Sequence, residues 1–535
     1  MRASIKYLIG ICTAFTLSTC TNRYADFNTD PTQPTENMLQ RDYYQLGTFF
    51  IQMQKNVIPA GSNGTDEVNQ YQLTDNLQGD IYSGYMGVSN NWNGGQNNST
   101  YGLIPGWYGE MFKRAYLGNL AGWAQIRDRA STPETAALAD IIKVAGLHRT
   151  TDTYGPLPYL NIKAGVVSTK YDSQEAIYDS FFKELDNAIN ILTAFSQNFP
   201  NSKILASYDL VYQGDVRKWV QFANSLKLRL AMRIVYADPA KAKLYAESAV
   251  NHPIGVIKTT DASASLKSSV TNPIRNPISY ICFQYDDIRM GANMESFLKG
   301  FKDPRISSYF NQATIGGKSD YFGIRNGIQI TNKSQYTHFS TVKLEENSPL
   351  PWLSAAESYF TRAEGALRGW NMGGTAKELY ETGIRTSFQQ AGASGTDNYL
   401  NDNTSTAAAY KDPASPSNNV TAGSPLLSTI TIKWKEADSF EKKLERIMTQ
   451  KWIAVFPNGQ EAWSEFRRTG YPKIFPVVVN NSGGTIDASK QIRRMPFPIS
   501  EYQDNPQGVA SGTAVLGGAD NGGTRLWWDK KIKLT

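Results

Sequence analysis

Two adjacent carboxylate pairs, Asp286-Asp287 and Glu345-Glu346, are the residues best placed by type to do covalent chemistry. Two positioned carboxyl groups are what glycoside hydrolysis requires, one as acid and one as base or nucleophile. Adjacent acids in polar stretches are ordinarily solvated, so these pairs are expected to be surface charge. The other reactive types are sparse. The three histidines, His148, His252 and His338, stand outside any His-Glu-x-x-His zinc motif, and no Gly-x-Ser-x-Gly nucleophile elbow occurs. Gly317-Lys318-Ser319 has the ending of a phosphate loop, but Gln312 sits where the first glycine is required. The residues therefore point to binding without turnover, and neither a metal nor a cofactor is implied.

The segment Asp80 to Tyr108 has a different chemistry. Tyr82, Tyr85, Trp92, Tyr101, Trp107 and Tyr108 alternate with Asn90, Asn91, Asn93, Asn97 and Asn98. A pyranose ring presents apolar C–H faces and a rim of hydroxyls, so its site needs aromatic planes beside amide or carboxylate partners. Asp80, Tyr82, Tyr85, Asn90, Trp92 and Asn93 are accordingly the expected ligand contacts. Trp107 and Tyr108 are expected to open the following helix as core residues.

The N-terminus carries its own chemistry. Arg2 and Lys6 precede an uncharged apolar stretch from Tyr7 to Leu17, and Leu17-Ser18-Thr19-Cys20 follows. A positive start, a short apolar run and small residues before a cut make a signal peptide. The run is far below the roughly 20 residues that span a bilayer. Leu-Ser-Thr-Cys resembles a bacterial lipobox, in which Cys20 becomes the acylated N-terminus. The organisation expected is a lipoprotein signal peptide at 1–19, a lipidated tether at 20–35 and one binding domain at 36–535. Thr21 replaces the Asp associated with inner-membrane retention, which favours the outer membrane. Of the remaining cysteines, Cys12 falls within the signal, so Cys282 is expected to be a buried small apolar residue.

Helices must position these groups. Thr132 and Pro133 start one, with Leu138, Ile141 and Ile142 on a shared face. Asp172 with Glu175 reads as a capping-box start, Asp215 caps a helix burying Trp219 and Phe222, and Asp438 with Glu441 opens another with Phe440 inward. Ser354 with Glu357 and Thr375 with Glu378 open two helices joined near Gly373-Gly374, a hairpin like one tetratricopeptide unit without a clean 34-residue repeat. Long polar stretches separate them: 61–108, 261–278, 314–340, 391–428 and 480–489. Aromatics at 12% of 535 residues suit both a large core and stacking surfaces, and a net charge of +6 without a dense basic run gives no reason to invoke nucleic acid.

Several segments, in order, resemble the SusD/RagB family of nutrient-binding outer-membrane lipoproteins. They are Thr151-Asp-Thr-Tyr-Gly-Pro-Leu-Pro158, Asn224-Ser-Leu-Lys-Leu-Arg229, Ser354 to Glu364, Gln450 to Phe456, Asn458 through Pro472, and Arg493-Arg-Met-Pro-Phe-Pro498. The resemblance implies a mainly α fold, a tetratricopeptide-like scaffold whose loop-rich insertions form the ligand face. It also implies a partner, a SusC-like TonB-dependent outer-membrane barrel to which a nutrient, here an oligosaccharide, is delivered. Peptide capture on the same scaffold and surface glycoside hydrolysis are the alternatives. Glu364, Arg467 and Arg468, within the family motifs, are expected to hold the scaffold together. The barely acidic Asn22-Arg23-Tyr24-Ala25-Asp26 departs from the acidic run that many surface-exported relatives carry after the cysteine.

Overall fold

The computed structural model describes residues 44–61, 65–162 and 169–531. The signal peptide, Cys20 and the tether lie outside the described residues. The chain divides into Met1–Thr48 and Phe49–Thr535, and everything below belongs to the second unit.

Successive long helices pair with their neighbours. α1 (Pro133–Tyr154) packs on α2 (Gln174–Asn198), and α2 packs on α3 (Val216–Arg233), which pairs with α4 (Pro239–Val250). α5 (Ala355–Leu367) forms the tightest hairpin with α6 (Ala376–Ala391), and α7 (Phe440–Ala454) lies against α5 ahead of α8 (Gly459–Thr469). The fold is mainly α. Three two-stranded antiparallel sheets complete it among the described residues: β1 (Met86–Val88) with β3 (Ile288–Met290), β2 (Ala264–Leu266) with β6 (Leu350–Leu353), and the hairpin β4 (Ala313–Ile315) with β5 (Lys318–Asp320).

Local chemistry starts and stops these helices. Asp215 accepts from Lys218 N at 3.1 Å, and Thr375 and Glu378 make a complete capping box ended by left-handed Gly392. Elsewhere the caps differ from expectation by one position. Ser173, not Asp172, caps α2, because the Asp172 carboxylate turns back to take Tyr159 N and Leu160 N. Ser439, not Asp438, caps α7, while Asp438 pairs with Arg446 and Phe440 faces outward at 38% exposure. Ser354 caps α5, but Glu357 does not complete the box: both its oxygens accept from Arg229 at 2.7 Å. α5 stops at Leu367, with Gly369 rather than Gly373 supplying the first positive φ.

The seam between α3, α5, α7 and α8 is ionic. Arg233 donates to Glu461 at 2.5 Å and Glu465 at 2.6 Å, and Arg468 donates to both oxygens of Glu364 at 2.7 and 2.5 Å and to Glu465 at 2.6 Å. Lys451 lies 3.3 Å from Glu465. All are buried. Burial alone would raise the Glu465 carboxyl, but Arg468, Lys451 and Arg233 together hold it well below its ordinary range. Arg467 lies over the Trp463 ring at 3.5 Å and donates to Asp152 O and Arg493 O. Glu364, Arg467 and Arg468 thus hold the scaffold, and Cys282 is fully buried.

Candidate binding site

The stretch 61–108 is not a loop at its start. Thr65–Tyr71 is helical and continues into a wide-turned helix, Gln72–Asp80, which crosses α8. Glycines let the backbones meet: a Cβ on Gly459 would lie 2.3 Å from Asp80 Oδ1, and one on Gly79 would lie 2.5 Å from Gln460 N. Three of the six expected ligand contacts are consumed here. Asp80 is fully buried and accepts from Tyr71 OH at 3.1 Å and Asn76 Nδ2 at 3.2 Å. Burial, with the nearby Asp75 charge, pushes its carboxyl up to about 8. The Tyr82 ring packs on Trp463 and its hydroxyl donates to Asn98 O at 3.1 Å. Tyr85, wholly buried, packs tilted against Trp452 and edge-on against Phe456, and donates to Trp452 O. Asp80, Tyr82 and Tyr85 face the interior; their place in the core leaves them no surface to offer a ligand.

Asn90, Trp92 and Asn93 reach the surface. The β1–β3 register pairs Val88 with Ile288, and Ser89 N donates to Asp287 O at 3.0 Å. That brings Asn90 Nδ2 to 2.8 Å from Asp287 Oδ1, which also receives Lys333 Nζ at 2.7 Å, while Gln72 Nε2 reaches Oδ2 at 2.8 Å. Asp287 is therefore a buried joint and not the solvated acid expected. Its neighbour Asp286 pairs with Arg289 at 2.6 Å, and Glu346 lies 3.4 Å from Arg275.

After Asn90 the chain makes a tied loop. Asn93, Gly94 and Gly95 have φ of 52°, 62° and 87°, a left-handed run that asparagine and glycine accommodate. Asn97 Nδ2 donates to Trp92 O at 3.0 Å, and Thr100 Oγ1 donates to Gly95 O at 2.6 Å. Asn481 closes the loop from outside, its Nδ2 donating to Gly95 O at 3.2 Å and its N to Thr100 O at 2.7 Å. Asn97 and Asn98 are buried in this work, whereas the Asn93 side chain is exposed. Trp92 is half-buried against Trp107, which is itself half-buried in the short helical turn Pro105–Tyr108; Tyr108 is the core residue of that turn.

Asn93 and Gln96 line a cleft of about 490 Å³, faced by Asn481, Ser482, Asp520 and Asn521. This volume lies in the range of small-molecule sites. Asp520 is held by Arg494 Nη1, by Phe497 N at 3.0 Å and by Tyr502 OH at 2.6 Å. It presents to the cleft a carboxylate that is ion-paired with Arg494. The polar stretch 480–489 was visible in sequence, but nothing there tied it to residue 93, and Asp520 and Asn521 carried no signal. Among the described residues no cluster of three or more His, Cys, Asp or Glu could hold a metal ion, and no helix is long and apolar enough to cross a membrane.

The described residues thus form a mainly α scaffold with a tied aromatic loop beside an amide-lined cleft. A family model, SusD-like, described as Susd and RagB outer membrane lipoprotein, matches residues 26–529, and the chain belongs to that family. A chitin-binding SusD homologue from Flavobacterium johnsoniae is similar at 45% identity, with a TM-score of 0.86 over 90% of this chain and 98% of that one. A SusD homologue from Bacteroides uniformis is 42% identical, with a TM-score of 0.84 over 91% and 100% of the two chains. No curated protein sequence matches.

Proposed function

We propose that the chain is a lipid-anchored outer-membrane protein that binds a glycan at the Trp92 loop and its cleft, without cleaving it, and delivers it to a SusC-like TonB-dependent barrel. The observation that carries this reading is the loop itself. Its hydrogen bonds run within the protein, through Asn97, Thr100 and Asn481, so the loop that carries Trp92 and Asn93 is tied in place and costs little to order. An indole supplies the plane for a sugar's C–H face, and Asn93, Gln96, Asn481 and Asn521 supply amides for its hydroxyl and acetamido groups.

The first ligand to test is a chitin-type oligosaccharide, as the Flavobacterium johnsoniae homologue is chitin-binding. Among the described residues Asp520 is the one carboxylate lining the cleft, and its engagement by Arg494 argues against hydrolysis, which needs a second acid opposite. Lipidation at Cys20 and outer-membrane placement follow the lipobox and the family's description as outer membrane lipoproteins. Titration calorimetry with N-acetylglucosamine oligomers should give saturable binding and no new reducing ends. Silence with these and a panel of other glycans, or release of reducing ends, would overturn the reading.

A further inference from the structure

The cleft does not end at its own wall. Pro105 lines it on one side and, on the other, lines a larger groove of about 730 Å³. Gly106 and Gly109, which follow Pro105 in the chain, also line the groove. Among the described residues a Cβ on Gly106 would meet nothing within 4 Å, and one on Gly109 would lie 3.4 Å from its nearest neighbour, the Pro498 ring.

The groove departs from the rule that places large apolar side chains inside. Leu117 is 57% exposed, Ile499 45% and Ile162 37%, and all three line it. Exposed apolar residues gathered in one concavity mark a surface with an occupant. Its charged groups are mostly acidic, Glu110, Glu501 and Asp504 against Lys113, with Glu110 paired to Arg114 at 2.7 Å. Glu501 is fixed by Tyr171 OH at 2.7 Å, so one carboxylate has a set direction. Exposed aliphatic side chains beside carboxylate acceptors match a sugar chain, whose rings are apolar on their faces and donate from their edges.

We propose that this groove is a second sugar subsite, reached across Pro105 from the cleft that Asn93 lines, and that the protein thereby selects long chains over short ones. The proposal rests on the glycan reading above. A chain occupying both sites gains from the first contact the effective concentration of the second, so affinity rises with length and not with any change in the first site.

The test is calorimetry on the full-length protein with N-acetylglucosamine oligomers of two to eight units, for wild type, Gly106→Trp and Leu117→Glu. Gly106 faces open space and Leu117 is exposed, so both variants should fold. Wild type should gain about tenfold or more in affinity between trimer and octamer. Both variants should keep the wild-type trimer affinity and lose the gain. The same length dependence in all three proteins would overturn the second subsite and leave the glycan reading standing. Variants with unchanged glycan binding that no longer co-purify with an outer-membrane partner would reassign the groove to protein docking. Absence of binding by wild type at every length would remove both readings together.

Discussion

Trp92 and Trp107 meet edge to face, with ring centroids 5.6 Å apart and planes at 86°. The contact supports one indole on another, so that the outer ring is braced by the same short turn that separates the cleft from the larger groove.

Trp92→Ala should weaken glycan binding by about 2 kcal/mol, the scale of an aromatic anchor. The unfolding midpoint should barely move, because the loop's ties run through Asn97, Thr100 and Asn481 and not through the indole. Unchanged affinity in calorimetry would move the site off this loop.

Glu364→Gln should destabilise the fold by about 3–5 kcal/mol, because it leaves the buried Arg468 guanidinium without its forked partner. Denaturant melts read this directly. A shift below about 1 kcal/mol would mean Glu465 alone satisfies Arg468.

Asp80 couples stability to pH. Its carboxyl keeps its proton up to about 8 in the folded chain and ionises near the ordinary value, about 4, when unfolded. Between those values the folded state holds the extra proton, so this group's contribution falls as pH rises from about 4 to 8. Asp80→Asn removes that loss. Its unfolding midpoint should exceed wild type at pH 9 by more than at pH 5, and a variant melting lower than wild type at both would show that the native residue is ionised.

Cys20→Ala should yield folded protein that leaves the membrane fraction. Retention in membranes after a high-salt wash would argue against acylation at this position.

Legibility in the sequence followed the range of the interactions. The Thr375–Glu378 box and the Asp215 cap are set within four residues and were readable from the string. Asp172 and Asp438 misled because each has a distant use, one for Tyr159 and Leu160 and the other for Arg446, leaving the adjacent serine to cap. Residues 72–80 looked like loop because Asn76, Gly79 and Asp80 are poor helix formers, and packing on α8 makes them helical. The same packing turned Asp80, Tyr82 and Tyr85 from expected ligand contacts into core. The far wall of the cleft, Asn481 and Asp520, joins residue 93 only through the tertiary fold.

The ionic seam has a consequence for inheritance. Arg229, Arg233, Glu357, Glu364, Lys451, Glu461, Glu465 and Arg468 pair across four helices, with Asp152 of α1 also on Arg233, and ask nothing of residues 90–100. Mutations that reshape the Trp92 loop leave those charges paired, so descendants can try new cargo preferences while the interior that keeps them foldable passes on unaltered.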